Sequence, residues 1–280
     1  KNVESNLGQT IKILPGTTLN LAPNVSIFAN GPLNIDGSKD SKVVIKRLNS
    51  KKPWGVIAIQ GIKSSKSYIK FADISGGSIA SNYNINYTGM VSFHNSKDIL
   101  IENSHFSKNV IGDDTLRIVY GKSKLNNLTF SNCFGDCIDF DYGKANLKKI
   151  AIKKAENDGL DFMSATANLN DIIVNGAGDK GISVGEQSKI KLNKGDISNA
   201  NIGVAVKDKS TIEIIDSKLS TNQIAVDTYK KNWRYGGAGM LKISSTIWNE
   251  NHIDVRASDG GEVFIQNNSS NKSLKYVNDS

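Results

Sequence analysis

The chain has 280 residues, 38% of them hydrophobic, only 4 prolines and a formal net charge of +8. It can bury a core, it contains no apolar run near the ~20 residues of a membrane span, and no Pro/Gly/Ser-rich or single-sign linker divides it, so one domain over 1–280 is expected. Lys and Arg are scattered along the chain rather than gathered on one helix or tail, which argues for tolerance of polyanions and not for a nucleic-acid groove; an acidic polysaccharide fits the charge as well as nucleic acid does.

The first residues, "KNVESNLGQT", lack the charged-then-apolar pattern of a secretory signal. The chain starts at Lys1 without Met and is rich in Asn, Ser and Thr, which leads us to expect a secreted or cell-envelope protein whose leader is absent from the sequence. Residues 11–37 then alternate apolar and polar positions, and "WGVIAIQG" (54–61) and "YIKFADISGG" (68–77) continue the pattern. The polar aromatic segment "SNYNINYTG" (81–89) offers Tyr83 and Tyr87 as minor sugar-binding candidates.

From residue 112 a repeat dominates. "GDDTLRI", "FGDCIDF", "ENDGLDF", "GDKGISV" and "NANIGVAV" align so that Leu116/Ile118 recurs as Ile138/Phe140, Leu160/Phe162, Ile182/Val184 and Val204/Val206, each step being 22 residues. Between these pairs lie Leu128/Phe130, Ile150/Ile152 and Ile172/Val174, and then Leu125, Leu147 and Leu169. Each is a short period-2 patch closed by Asn, Gly, Ser or Asp, which predicts three short strands per coil. No amphipathic return helix is present, so leucine-rich, tetratricopeptide, ankyrin and HEAT repeats are excluded. The expected fold is all-β, a right-handed parallel β-helix, the hand following from the strong preference of parallel crossovers. "YKKNWRYGGAGM" interrupts the coil as a lateral loop near 229–240, lengthening the step from Ile224 to Ile253 to 29, and "IDVRASDGGEVFIQNN" (253–268) closes the pattern.

In register, Asp114, Asp136 and Asp158 form one column ending at Lys180, and Arg117 heads a second column of Asp139 and Asp161; Asp141 extends the patch. The first column precedes the strands, where Asp is also an ordinary turn residue. Arg117, Asp139 and Asp161 alternate with inward positions and are expected to face outward, open to solvent or ligand. Aspartate is disfavoured in mid-strand, and stacked carboxylates ~5 Å apart repel unless cations relieve them. Hard-oxygen clusters of this kind suit Ca²⁺.

Cys133 and Cys137 lack the partner ligands of a zinc site; they are read as two buried small side chains, with a local disulfide as the alternative. His94, His105 and His252 are dispersed and are read as structural or surface residues. In the lateral loop, Tyr229, Trp233 and Tyr235 alternate with Lys230, Lys231 and Arg234, a pattern suited to stacking on sugar rings and pairing with their carboxylates.

With its 22-residue ladders, the chain resembles the right-handed parallel β-helix proteins of the pectate-lyase-like superfamily. By that resemblance, Asp114, Asp136, Asp139, Asp158 and Asp161 would surround Ca²⁺, with Lys180 as base and Arg117, Asp139 and Asp161 among the catalytic groups of a polysaccharide lyase acting on uronates. A non-catalytic glycan-binding or surface-structural module is the first alternative. A glycoside hydrolase using two ladder carboxylates is the second, although the polygalacturonase Asn-Thr-Asp, Gly-His-Gly and Arg-Ile-Lys segments have no counterpart.

Overall fold

Alternating apolar residues closed by a left-handed corner generate the repeating unit of the structure, a computed structural model that describes residues 1–266 and 275–279. In the segment Lys122–Cys133, Ser123, Leu125, Leu128, Phe130 and Cys133 are buried, and the parity slips by one residue at Asn127 and again at Asn132, whose φ are +53° and +52°. One residue in that conformation turns the chain without breaking the parallel ladder. The second and third strands expected in each coil therefore run on as one bent strand here. The same happens in Lys189–Lys207, with left-handed Lys194 and Asn199.

The chain divides into two compact units, Lys1–Ala145 and Asn146–Ser280. In the first, the strands Ile27–Ala29, Ile57–Gln60, Gly89–His94, Asp114–Val119 and Asp136–Asp141 pair in parallel, each with the equivalent strand of the next coil. In the second, Leu160–Met163 pairs with the end of Thr166–Gly185, and the order continues through Lys189–Lys207, Ile224–Tyr229 and Ile253–Ser258. The repeat pairs from Leu116/Ile118 to Val204/Val206 are all buried and form the interior of the coils. Asn side chains stack along the corners of both units, Asn127 on Asn103 at 2.7 Å and Asn199 on Asn175 at 2.9 Å.

Along this strand column the spacing of 22 does not extend to the N-terminal coils, although Ile11 still pairs with Leu33 at that step: Ile27 pairs with Ile57, Ile57 with Val91 and Val91 with Leu116. The antiparallel hairpin of Ala80–Asn82 with Ile85–Tyr87 accounts for part of the longest step. Tyr87 at its base is buried against Phe28, Val56 and Ala58, so it is a packing residue and not a sugar contact, while Tyr83 stands exposed at the tip. Cys133 and Cys137 form a disulfide, correcting the reading as two reduced side chains. Asn267 and Asn268, at the end of the predicted C-terminal pattern, lie outside the described residues.

Candidate functional site

In the first unit, the outward positions of the strands Asp114–Val119 and Asp136–Asp141 assemble a cluster around one guanidinium. Arg117 pairs in register with Asp139, and Asp114 with Asp136. Arg117 Nη2 donates to Asp141 Oδ2 at 2.5 Å, its Nε lies 3.5 Å from Asp139 Oδ2, and its Nη1 lies 3.5 Å from Asp114 Oδ2. Nη1 also donates to the Thr88 hydroxyl at 2.6 Å, which in turn donates to Asp114 Oδ2 at 2.8 Å.

The expected exposure is corrected here. Asp139 retains only 7% of its accessible surface, and Asp114, Asp136 and Asp141 are also buried; Arg117 draws Asp114, Asp139 and Asp141 together, and Thr88 bridges it to Asp114. Asp114 opens its strand rather than preceding it, whereas its neighbour Asp113 is the exposed turn residue. Burial raises the Asp114 carboxyl to about 7, a rise that Arg117 and the Thr88 hydrogen bond oppose and the charges of Asp113 and Asp141 reinforce. For Arg117, burial works against its charge, but Asp139, Asp114 and Asp141 overcome it and raise its pKa. Burial and the neighbouring Arg117 lower His94 to about 4, so it is neutral at pH 7, in keeping with a structural role.

In the second unit, the carboxylate of Asp158 accepts the Lys180 backbone N–H at 2.9 Å, and the Lys180 ammonium lies 3.5 Å from it while also pairing with Asp179. Burial raises Asp158 to about 6 against the opposing effect of Lys180. Burial would lower Lys180, yet Asp158 and Asp179 hold its pKa above the ordinary lysine value, which keeps it a cation rather than a ready base. Asp161 pairs in register with Ser183, and its Oδ1 is buried without a hydrogen-bond partner. Further along the same face, Arg256 donates to Asp227 at 2.5 Å.

The lateral loop belongs to this unit and is built outward from a fixed base. Fully buried Asp208 accepts the N–H groups of Lys231 and Asn232 at 2.8 and 2.6 Å. A Cβ on Gly239 would sit 2.1 Å from the Val206 carbonyl oxygen, so only glycine lets the chain return at that point. Tyr229 packs on Ile202, Ala205 and Ile224; burial raises its hydroxyl to about 12, while Lys180 opposes the rise. Lys230, Lys231 and Arg234 are exposed and Tyr235 is half-buried. Trp233, on a single 3₁₀ turn (Trp233–Tyr235), is 78% exposed with the Arg234 guanidinium over its ring.

Thr88, Asp179 and Asp208 were not singled out from the sequence. Thr88 reaches the cluster across a coil step longer than 22, so the repeat carries no signal for it. Asp179 adjoins Lys180 in the chain, and Asp227 pairs with Arg256 through the 29-residue step already visible in the sequence; both signals were there to be used.

This arrangement of coils defines the class of the molecule, a right-handed parallel β-helix. Among solved structures, the enzymatically active domain of bacteriophage CBA120 tailspike protein 2 shares the fold with a TM-score of 0.51 at 11% identity, over 93% of this chain and 41% of that one. The chain thus spans about two fifths of that tailspike domain. Pectate lyase Pel9A (TM-score 0.47, 13% identity, 96% of this chain and 71% of that) and the A-module of the mannuronan C-5 epimerase AlgE6 of Azotobacter vinelandii (0.47, 10%, 97% and 89%) are similar at lower scores. At these identities the likeness is one of fold. No protein-family model and no curated protein matches the sequence.

Proposed function

We propose that the protein engages an acidic polysaccharide. The observation that carries this reading is the exposed Trp233–Arg234 arm, fixed at its root by Asp208, in the same unit as Tyr229 and the charged Lys180. A lone solvent-exposed Trp beside cations supports stacking on a sugar ring with recognition of its carboxylate. Lys230, Lys231 and Tyr235 extend the same surface. A secreted or cell-envelope setting suits such a ligand, and no helix among the described residues is long and apolar enough to cross a membrane.

Catalysis, as a uronate lyase, is the finer part of the proposal. Asp158, raised toward neutrality, is suited to hold and return a proton, and Lys180 to neutralise a substrate carboxylate in its charged state. The proposed cation also divides between the units. Arg117 already lies among Asp114, Asp139 and Asp141, so those carboxylates do not suit a second cation. In the second unit, the unpartnered oxygen of Asp161 favours one, and Asp161 would contribute a ligand to Ca²⁺, which supplies charge neutralisation when bound, while Asp158, already paired with the Lys180 ammonium, keeps the proton-transfer role.

The test is incubation with polygalacturonate and with alginate, in Ca²⁺ and in EDTA, while calorimetry follows binding and ultraviolet absorbance follows unsaturated uronate. Binding that is lost in Trp233→Ala is the expected result. Turnover lost in Asp158→Asn would establish the lyase, binding without turnover would leave a glycan-binding module, and absence of binding to either polymer would refute the proposal.

A further inference from the structure

We infer that the first unit carries a separate acidic-sugar subsite, in which a pyranose ring stacks on the outer face of Tyr120 above Asn95. This rests on the acidic-polysaccharide reading and names where on this unit one of its residues sits. The strand ends Gln60, His94, Val119 and Asp141 pair in register, and the next residues, Gly61, Asn95, Tyr120 and Tyr142, occupy one corner column with φ of +81°, +53°, +54° and +53°. Left-handed backbone favours Gly and Asn, and a bulky aromatic there goes against local preference. Two adjacent rungs nevertheless carry tyrosine. Their rings are 57% and 42% exposed and stack on each other at 4.9 Å and 14°, so the rings lie outside the core.

The stack ends abruptly at Tyr120. The next rung carries the smaller Asn95, and beyond it a Cβ on Gly61 would meet nothing within 4 Å. A ring seated over Asn95 would continue the column at the coil spacing of ~4.8 Å, within the range of ring-face stacking. Charge favours a uronate as the occupant. Exposed Lys97, Lys122 and Lys144 each follow the column by two residues, and among the described residues only Lys122 of the three has an acidic partner, Asp98 at 3.9 Å. The sugar's C–H face would therefore meet an aromatic ring while its carboxylate met ammonium groups.

The test compares wild type with Tyr120→Asn/Tyr142→Asn, a change that restores the residue the corner prefers and so preserves the fold. Oligogalacturonate, oligomannuronate and neutral cellohexaose are titrated by calorimetry and by amide NMR. The expected results are about tenfold weaker uronate binding in the double variant with no fall in Tm, and a ligand-induced shift of the Asn95 amide in wild type. Equal uronate affinity in the double variant, with binding still lost in Trp233→Ala, would overturn this subsite alone. No uronate binding by wild type would overturn both readings. Equally tight cellohexaose binding would overturn the acidic assignment. Concentration-dependent self-association in wild type, abolished in the variant, would show that the rings seat a second copy instead.

Discussion

Asp114→Asn isolates the energetic signature of the first cluster. The Asp114 carboxyl is 1% exposed and is raised from 3.8 to about 7, chiefly by burial. A carboxyl raised on folding binds more protons in the native state than in the unfolded one, so its contribution to stability is greatest below pH 4 and is lost as pH rises through 7. The shift corresponds to a loss on the order of 4 kcal/mol, at most about 1.4 kcal/mol per pH unit for one group. Asparagine keeps the shape and an acceptor for the Thr88 hydroxyl but does not titrate. Urea unfolding from pH 4 to pH 8 is therefore expected to show the variant close to wild type at pH 4 and several kcal/mol more stable at pH 8. Groups that titrate in both proteins cancel in the difference. Parallel pH profiles, or a variant relatively weaker at pH 8 than at pH 4, would refute the argument that burial outweighs the attraction of Arg117.

Arg117→Met leaves Asp114, Asp139 and Asp141 without their shared cation and is expected to cost about 3–5 kcal/mol at pH 8, with a smaller loss at pH 5 where Asp114 is protonated; thermal unfolding at the two pH values checks it. Asp208→Ala removes the acceptor of two loop N–H groups, so hydrogen exchange at Lys231 and Asn232 should accelerate and stability fall by about 1–3 kcal/mol. Gly239→Ala places a methyl against the Val206 carbonyl and should lower Tm more than Gly236→Ala, although Gly236, unlike Gly239, has positive φ, because nothing lies near a Cβ at Gly236. Cys133→Ser/Cys137→Ser opens a very short loop and should cost only about 2 kcal/mol in chemical denaturation.

The coil interior was legible in the sequence because one side-chain parity repeats: Leu116, Ile138, Leu160, Ile182 and Val204 could be aligned by number alone, and each is buried. The register of Arg117 with Asp139 was legible for the same reason. Parity, however, reports direction and not accessibility. Asp139 points away from the interior, yet is buried beside Arg117, which in turn is held by Thr88 from a coil of different length, neighbours that a one-dimensional pattern cannot weigh. The role of Lys180 was obscured similarly. Its place in the column was visible, but the acids that hold it charged decide whether it is a base, and one of them, Asp179, lies outside the column. The disulfide depended on the bend between Cys133 and Cys137, which spacing alone leaves undetermined.

The corner positions also bear on how this chain can change. The hairpin at 80–87 and the arm at 230–239 enter between strands whose partners remain in register on either side. Length is thus decoupled from alignment: residues can be added at a corner without turning a core side chain outward. A library that varies only the corners could be expected to yield folded proteins with altered surfaces, whereas a single deletion within Asp114–Val119 would invert every side chain after it in that strand.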